Sequence, residues 1–308
     1  MQFLGKHFLG NQVRNDPDAS VGIFGLMLKE AKELYKYREL LWTLVERELR
    51  IRYKNSVIGF FWSLLNPIVT MSAMFFVFKF FLQNETPSFS AYVFAAYLPY
   101  MFFQLAILDS AQSILAALPV IRKVYFPREI LPLASVLSNF IHFLLSLGVF
   151  FVFLGVIWLR HPQNSPFQIS ILWLPVLLLT HLALTTGVAL FVSALNTFYE
   201  DVKYMVGVVL YLMLFFTPVM YFSEQVAAAK GLPAWGYTLY HLNPVAMLCT
   251  AYRKILVAPV NPKVGGQTLE YIPLDWGLLS VAIAVSVLML VGGYAYFNKV
   301  KWRFVERP

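Results

Sequence analysis

Apolar residues fill the chain in long runs broken by short charged stretches, and the first informative change of pattern lies between Tyr37 and Leu82. Over its first part Tyr37, Leu40, Leu41, Leu44, Val45 and Leu49 recur at helical spacing, while Arg38, Glu39, Glu46, Arg47, Glu48, Arg50, Arg52 and Lys54 take other positions. Glu46 with Arg50 and Glu48 with Arg52 are i,i+4 pairs of the favourable polarity. This pattern predicts an amphipathic helix over residues 37–56 that lies in a membrane surface. From Val57 no charge occurs until Lys79, which is long enough for a first membrane span. Asn66-Pro67 inside that span predicts a kink, with neighbouring helices satisfying the freed carbonyl.

Further apolar runs predict spans over about 92–118, 133–159, 169–195, 204–222 and 276–297. The segment 233–258 is apolar but interrupted by Asn243-Pro244, and each half is too short to cross, so two re-entrant or interfacial helices are expected there. Between the second and third spans, Pro119, Pro127 and Pro132 bracket a loop carrying Arg122, Lys123 and Arg128, with Tyr125 and Phe126 anchoring a short helix at the interface. The expected fold is an all-α integral membrane protein of six transmembrane helices over 57–297, with an N-terminal amphipathic interface helix and two short re-entrant outer helices between spans five and six. Residues 1–36 and 298–308 form tails. Most of the 24 lysines and arginines fall in the tails, the interface helix and the loops after spans two and four, which puts both termini on the cytoplasmic side. Arg253 and Lys254 then lie outside, against the charge rule, and require buried partners or a polar channel mouth.

Composition supports this reading. Hydrophobic residues make up 59% of the 308 and charged residues only 13%, which excludes an ordinary soluble domain. The net charge of +8 is accounted for by the positive-inside rule, so no nucleic-acid partner is expected. Cys249 is the single cysteine and offers no disulfide or zinc framework. The first 25 residues contain no apolar core, so the first span is expected to direct insertion. Asp16-Pro17-Asp18 spells the carboxylate pair of metal-dependent glycosyltransferases, but reads better as a turn in a tail, and Asn84-Glu85-Thr86 is a chance glycosylation sequon. Asp109 in the second span is either functional or satisfied by Ser110, Gln112 or Ser113. His142 and His181 read as hydrogen-bonded core histidines, with no second histidine at metal-ligand spacing, and no metal site is expected. The chain has no G-x-x-x-x-G-K-[ST] loop, no H-E-x-x-H and no nucleophile elbow, so energy for any transport must come from elsewhere.

Arg50, Arg52, Tyr53 and Lys54, followed by Gly59, Phe60, Trp62, Ser63, Leu64, Leu65, Asn66 and Pro67, form an R-x-R-Y-K run leading into G-F-x-W-S-L-L-N-P. This resembles the opening of the polysaccharide-export permeases of ABC transporters, the type-2 class that moves O-antigen, capsule or teichoic acid chains across the bacterial plasma membrane. Lys123, Phe126, Pro127, Arg128 and Glu129 match the family's K-x-x-F-P-R-E coupling helix, which sits in a cleft of the ATPase subunit. Tyr199, Asp201, Val202 and Lys203 resemble its aromatic-x-D-V-K segment, a second and smaller ATPase contact. Asn243-Pro244 matches the turn of its outer helix pair. Phe297, Lys299 and Phe304 follow its closing F-x-K-x-E-x-x-F, although Trp302 and Arg303 do not supply the acid.

The resemblance implies a transport subunit rather than an enzyme. It implies a homodimer of permeases acting with two nucleotide-binding ATPase subunits, and no cofactor on this chain, since ATP and magnesium bind the partner. Arg122, Lys123, Tyr125, Phe126, Pro127, Arg128, Glu129, Asp201 and Lys203 are its expected ATPase-coupling residues. Arg47, Arg50, Arg52 and Lys54 can pair with the phosphates of a lipid-linked glycan, or equally with anionic membrane lipids. Phe61, Trp62, Tyr97, Tyr100 and Phe103 are candidates for an aromatic channel lining, since sugars present apolar faces to a sliding contact. A drug or small-lipid exporter of the same class, and less readily a membrane glycosyltransferase, remain as alternatives.

Overall fold

The structure, a computed structural model, describes residues 35–53, 61–81, 86, 89–160, 168–229, 233–264 and 267–305. Asp16 and Asp18, Lys54, Gly59, Phe60, Asn84 and Glu85 lie outside these residues, as do the side chains of Arg52, Phe61 and Trp62.

The chain is a bundle of helices. The amphipathic stretch forms α1 (Arg38–Tyr53), and the first apolar run forms α2 (Phe61–Phe76), which holds Pro67 inside it and continues into a π-helical turn, Val77–Phe81. Then come α3 (Phe89–Ile121), α4 (Ile130–Arg160), a 3-10 turn (Ile169–Trp173) leading into α5 (Leu174–Phe198), and α6 (Val202–Phe216). Three short helices follow, α7 (Ser223–Ala227), α8 (Ala234–His241) and α9 (Pro244–Leu256). A two-stranded antiparallel hairpin, β1 (Lys263–Val264) and β2 (Gln267–Thr268), pairs Lys263 with Thr268 and Val264 with Gln267. The last helix, α10 (Trp276–Val300), ends in a 3-10 turn, Lys301–Val305.

Four of these segments, Phe89–Ile121, Ile130–Leu159, Ile169–Phe198 and Trp276–Phe304, are long and apolar enough to cross a membrane; Leu65–Phe76 and Val202–Phe216 are apolar but shorter. Burial and hydropathy run opposite ways among them. The central helix α3 is the most buried of the four and has a mean hydropathy of 1.6, whereas α4, with much of its surface outward, reaches 2.6. That inversion suits a lipid solvent: an outward face must be apolar, while a helix enclosed by others can carry Asp109 and Ser110. With 33 residues, α3 extends about 50 Å, against the ~30 Å of a hydrocarbon core. Its ends therefore reach well past the apolar layer.

Two clusters make up the core. The larger centres on α3 and α9, and the smaller joins Ile114, Ala117, Ile121, Leu131, Leu190, Ala194, Tyr294, Phe297 and Phe304 at the end of the bundle that carries the 122–129 loop. Helices α5 and α10 cross at backbone contact. A Cβ on Gly187 would fall on the backbone of Met289 and Leu290, and one on Gly293 would fall on the Gly187 carbonyl, so only glycine allows this approach. Polar bonds reinforce the packing within the bundle. Asn139 of α4 donates to Asp109 at 2.8 Å and Ser110 to the Pro132 carbonyl at 3.2 Å, so a partner of Asp109 comes from the neighbouring helix.

Two expectations from sequence change, and one of the two ion pairs expected along α1 is seen. The 122–129 loop contains no short helix, because the two long helices run to Ile121 and from Ile130, and Pro127 forces Phe126 extended; turns closed by Lys123 N–H to Val120 O and Ile130 N–H to Pro127 O occupy the space between. Of the α1 ion pairs, Glu46 with Arg50 forms at 3.2 Å; Glu48 meets Arg47 at 3.1 Å, and its expected partner Arg52 has its side chain outside the described residues. His181 is fully buried, yet neither ring nitrogen has a hydrogen-bond partner; it is boxed by the rings of Phe102, Phe103, Phe143 and Tyr252.

Candidate functional site

At the loop end of the bundle, α1 packs along α4 and turns one face toward the 122–129 loop. Between them lies an apolar groove of about 230 Å³, lined by Tyr37, Leu40, Leu44 and Arg47 from α1, Ala117 and Val120 from α3, Val124, Tyr125 and Phe126 from the loop, and Leu131 from α4. Two residue sets that sequence reading kept apart thus meet, since Arg47 of the headgroup set and Phe126 of the coupling set share one wall. The signal was available as Leu40 and Leu44 one turn apart on the apolar face of α1, but nothing local says which surface that face covers.

The loop divides into an outward and an inward half. Arg122, Lys123, Val124 and Tyr125 are exposed, Tyr125 by 70%. Phe126 and Arg128 are half-buried, and Pro127 and Glu129 buried. Arg128 donates to the Lys301 carbonyl and lies 5.9 Å from the Trp302 ring centroid, while Glu129 meets Lys301 Nζ at 3.5 Å. Burial holds the Arg128 guanidinium below its ordinary pKa, opposed by the nearby Tyr125 and Glu129. Lys301 and Trp302, which sequence reading treated as tail, are therefore structural partners of the loop.

The second loop sits beside the first. Tyr199, Glu200 and Asp201 are exposed, and Lys203 Nζ lies 4.8 Å over the Tyr204 ring. Its geometry is set by Asn196, fully buried, whose amide donates to the Ala111 carbonyl of α3 at 2.7 Å and whose oxygen accepts from the Lys203 N–H at 2.9 Å. Sequence reading gave Asn196 no such role.

The proposed channel aromatics separate. Phe61 and Trp62 occupy the first turn of α2. Tyr97 is half-buried, 6.1 Å from Phe94 between ring centroids. Tyr100 and Phe103 are enclosed within the bundle: the Tyr100 hydroxyl donates to the Leu210 carbonyl of α6, and Phe103 stacks near His181. Those last two rings present no surface on this chain along which a sugar could slide.

The opposite end, called the cap end below, holds Arg253 and Lys254, both buried in α9. Arg253 donates to the carbonyls of Tyr92 at 3.0 Å, Tyr221 at 2.6 Å and Val219, and lies 4.8 Å over the Tyr92 ring. Lys254 Nζ pairs with Glu224 Oε1 at 2.9 Å, both side chains 1% exposed, and donates to the Ile272 carbonyl. Glu224 also accepts from Ser223 Oγ at 3.0 Å and from the Ile272 N–H at 3.3 Å. Burial lowers the pKa of both cations, and Glu224 opposes that shift at Lys254. The partners that the sequence demanded for these charges are thus found, although Glu224 itself gave no sign of the role. Asn243 caps α9 by accepting from the Val245 N–H at 3.1 Å, with Pro244 in its first turn.

A bundle of several long apolar helices with an exposed, basic loop between two of them defines a multi-pass membrane protein. Residues 39–257 match the family model described as ABC-2 type transporter, and the chain belongs to that family. Among its relatives are two O-antigen export system permease proteins RfbA from Klebsiella pneumoniae, each 28% identical over 269 residues, covering 87% of this chain and 94% of theirs. The corresponding RfbA of Myxococcus xanthus is 30% identical over 282 residues, covering 91% and 99%. The chain is a transport permease rather than a catalytic enzyme.

Proposed function

We propose that this chain is the membrane permease of an ATP-driven exporter carrying lipid-linked polysaccharide, of O-antigen, capsule or teichoic acid type, across the bacterial inner membrane. The observation that carries this reading is end-to-end similarity to export permeases, joined with an exposed Arg122–Tyr125 segment at one end of the bundle. In this reading α2, α3, α4, the 169–198 segment, α6 and α10 are six spans and both termini face the cytoplasm. At 15 residues, α6 covers about 22 Å, so residues 217–222 complete its crossing.

Two copies of the permease act with two ATPase subunits, which bind the ATP and magnesium. The Arg122–Glu129 loop and the Tyr199–Lys203 segment receive the motion of the ATPase. A pyrophosphate-linked lipid approaches along α1, where Arg47 and Arg50, with Arg52 and Lys54, attract its phosphates through charge-assisted hydrogen bonds. The glycan then passes between protomers, along a lining that draws on Phe61, Trp62 and the half-buried Tyr97 rather than on the enclosed Tyr100 and Phe103.

The test is reconstitution with the ATPase subunit in proteoliposomes, measuring ATP turnover and translocation of lipid-linked glycans. Stimulation of turnover by one glycan class is the expected result, with Phe126→Ala and Tyr125→Ala cutting it severalfold at unchanged complex formation. Turnover stimulated by small amphiphiles and indifferent to every glycan would overturn the cargo assignment, and indifference to both loop variants would overturn the coupling assignment.

A further inference from the structure

The C-terminal turn Lys301–Val305 is gripped from two sides, by the 122–129 loop and by the last residue of α5, from which the Tyr199–Lys203 segment starts. On the first side Arg128 donates to the Lys301 carbonyl, and Glu129 pairs with Lys301 Nζ at 3.5 Å, the two side chains being 3% and 12% exposed. On the second side Phe304 is fully buried, its ring centroid 5.6 Å from Phe198, the residue just before the exposed Tyr199. A basic tail serving only to orient the chain by charge would leave its lysine in water and need no such anchor. This turn instead uses Lys301 inward against Glu129, while Phe304 packs on the end of α5 that leads into the second loop.

What the turn presents outward is Trp302, 60% exposed, and the exposed Arg303. The Trp302 ring is oriented by two cations, with Arg128 at 5.9 Å and Lys301 at 5.6 Å from its centroid. Tyr125, 70% exposed, stands on the same loop as Arg128, three residues before it. Trp302 and Arg303 therefore stand exposed beside Arg128, whose loop also exposes Tyr125, and together these groups have the aromatic and basic composition that protein interfaces favour at their centres.

We propose that the C-terminal turn is a third part of the ATPase-docking platform, locking the two loops into one rigid body and contributing Trp302 and Arg303 to the contact. The proposal rests on the reading of the 122–129 loop as ATPase-facing. The complementary partner surface is an apolar hollow rimmed by carboxylates. A lipid headgroup layer is the other environment that takes Trp beside Arg, and the experiment separates the two.

A photoreactive phenylalanine analogue is placed singly at 125, 302 and 303 in the permease, which is assembled with its ATPase in vesicles and irradiated. Adducts to the ATPase subunit at 302 and 303 are expected. Adducts there to lipid alone, or none, overturn the proposal; if position 125 still labels the ATPase, the coupling reading survives, and if it does not, both fall. In parallel, Lys301→Met is expected to lower ATP-driven transport severalfold with complex formation intact and Lys301→Arg to restore it. Transport unaffected by Lys301→Met overturns the locking role.

Discussion

The cap end and the loop end of the bundle both carry arginines and lysines, and they use them in opposite ways. At the cap end Arg253 and Lys254 are sealed from solvent and donate to carbonyls and to Glu224. At the loop end Arg50, Arg122 and Lys123 stand in the open. A buried cation is tolerated only when its partners are complete, and removing one partner leaves the other uncompensated. The difference teaches that position along the bundle separates structural charge from available charge, where residue type alone does not. It also shows why the cap charges can break a rule of loop composition, since that rule concerns solvated charge.

The comparison is broken most severely at Arg253. Its guanidinium ties three carbonyls from two separate segments, Tyr92 at the start of α3 and Val219 with Tyr221 before α7, to α9. Arg253→Ala strands all of them in a closed space, with an expected loss of about 5 kcal/mol or more. The measurement is thermal unfolding and protease resistance in detergent, where a variant as stable as the parent would mean that water reaches this site freely.

Next in size is the Lys254–Glu224 pair. Glu224→Gln leaves a buried ammonium without its counter-charge and should cost about 3–5 kcal/mol. Combining it with Lys254→Met removes the stranded charge, so the double variant should be more stable than Glu224→Gln alone. Additive losses in that cycle would show that the two side chains act independently, contrary to their 2.9 Å contact.

Much of this architecture was legible in advance because the bilayer leaves few choices. Long apolar runs must be helices, and α3, α4, α5 and α10 fall within a few residues of the runs that predicted them. Asn243-Pro244 foretold the break between α8 and α9, because proline and a capping asparagine act locally. Partnerships were not legible. Glu224 lies on a five-residue helix with no periodic pattern, and its link to Lys254 depends on how the chain returns through the cap. The inward turn of Arg128 and Glu129 was hidden for the same reason: their partner Lys301 is distant in sequence and reads as one more charge in a basic tail. Tyr100 and Phe103 carry the aromatic signature of a channel lining, but only packing decides which aromatic rings face inward.

The smallest expected change in stability, and the sharpest contrast with Arg253, is at Arg50. Its side chain is 82% exposed and its partner Glu46 45% exposed, at 3.2 Å. Such a surface pair is worth under about 0.5 kcal/mol, so Arg50→Gln should leave thermal unfolding almost unmoved. Its effect belongs instead to the membrane surface, where one cation near anionic lipid contributes about 1 kcal/mol. Transport by the reconstituted complex is therefore measured in vesicles with and without anionic lipid. A loss in both points to the phosphates of the transported lipid as the partner of Arg50, whereas a loss confined to anionic vesicles points to the bilayer itself. A drop in stability comparable to that of the cap variants would erase the distinction between the two ends, because it would make the exposed cation as structural as the buried one.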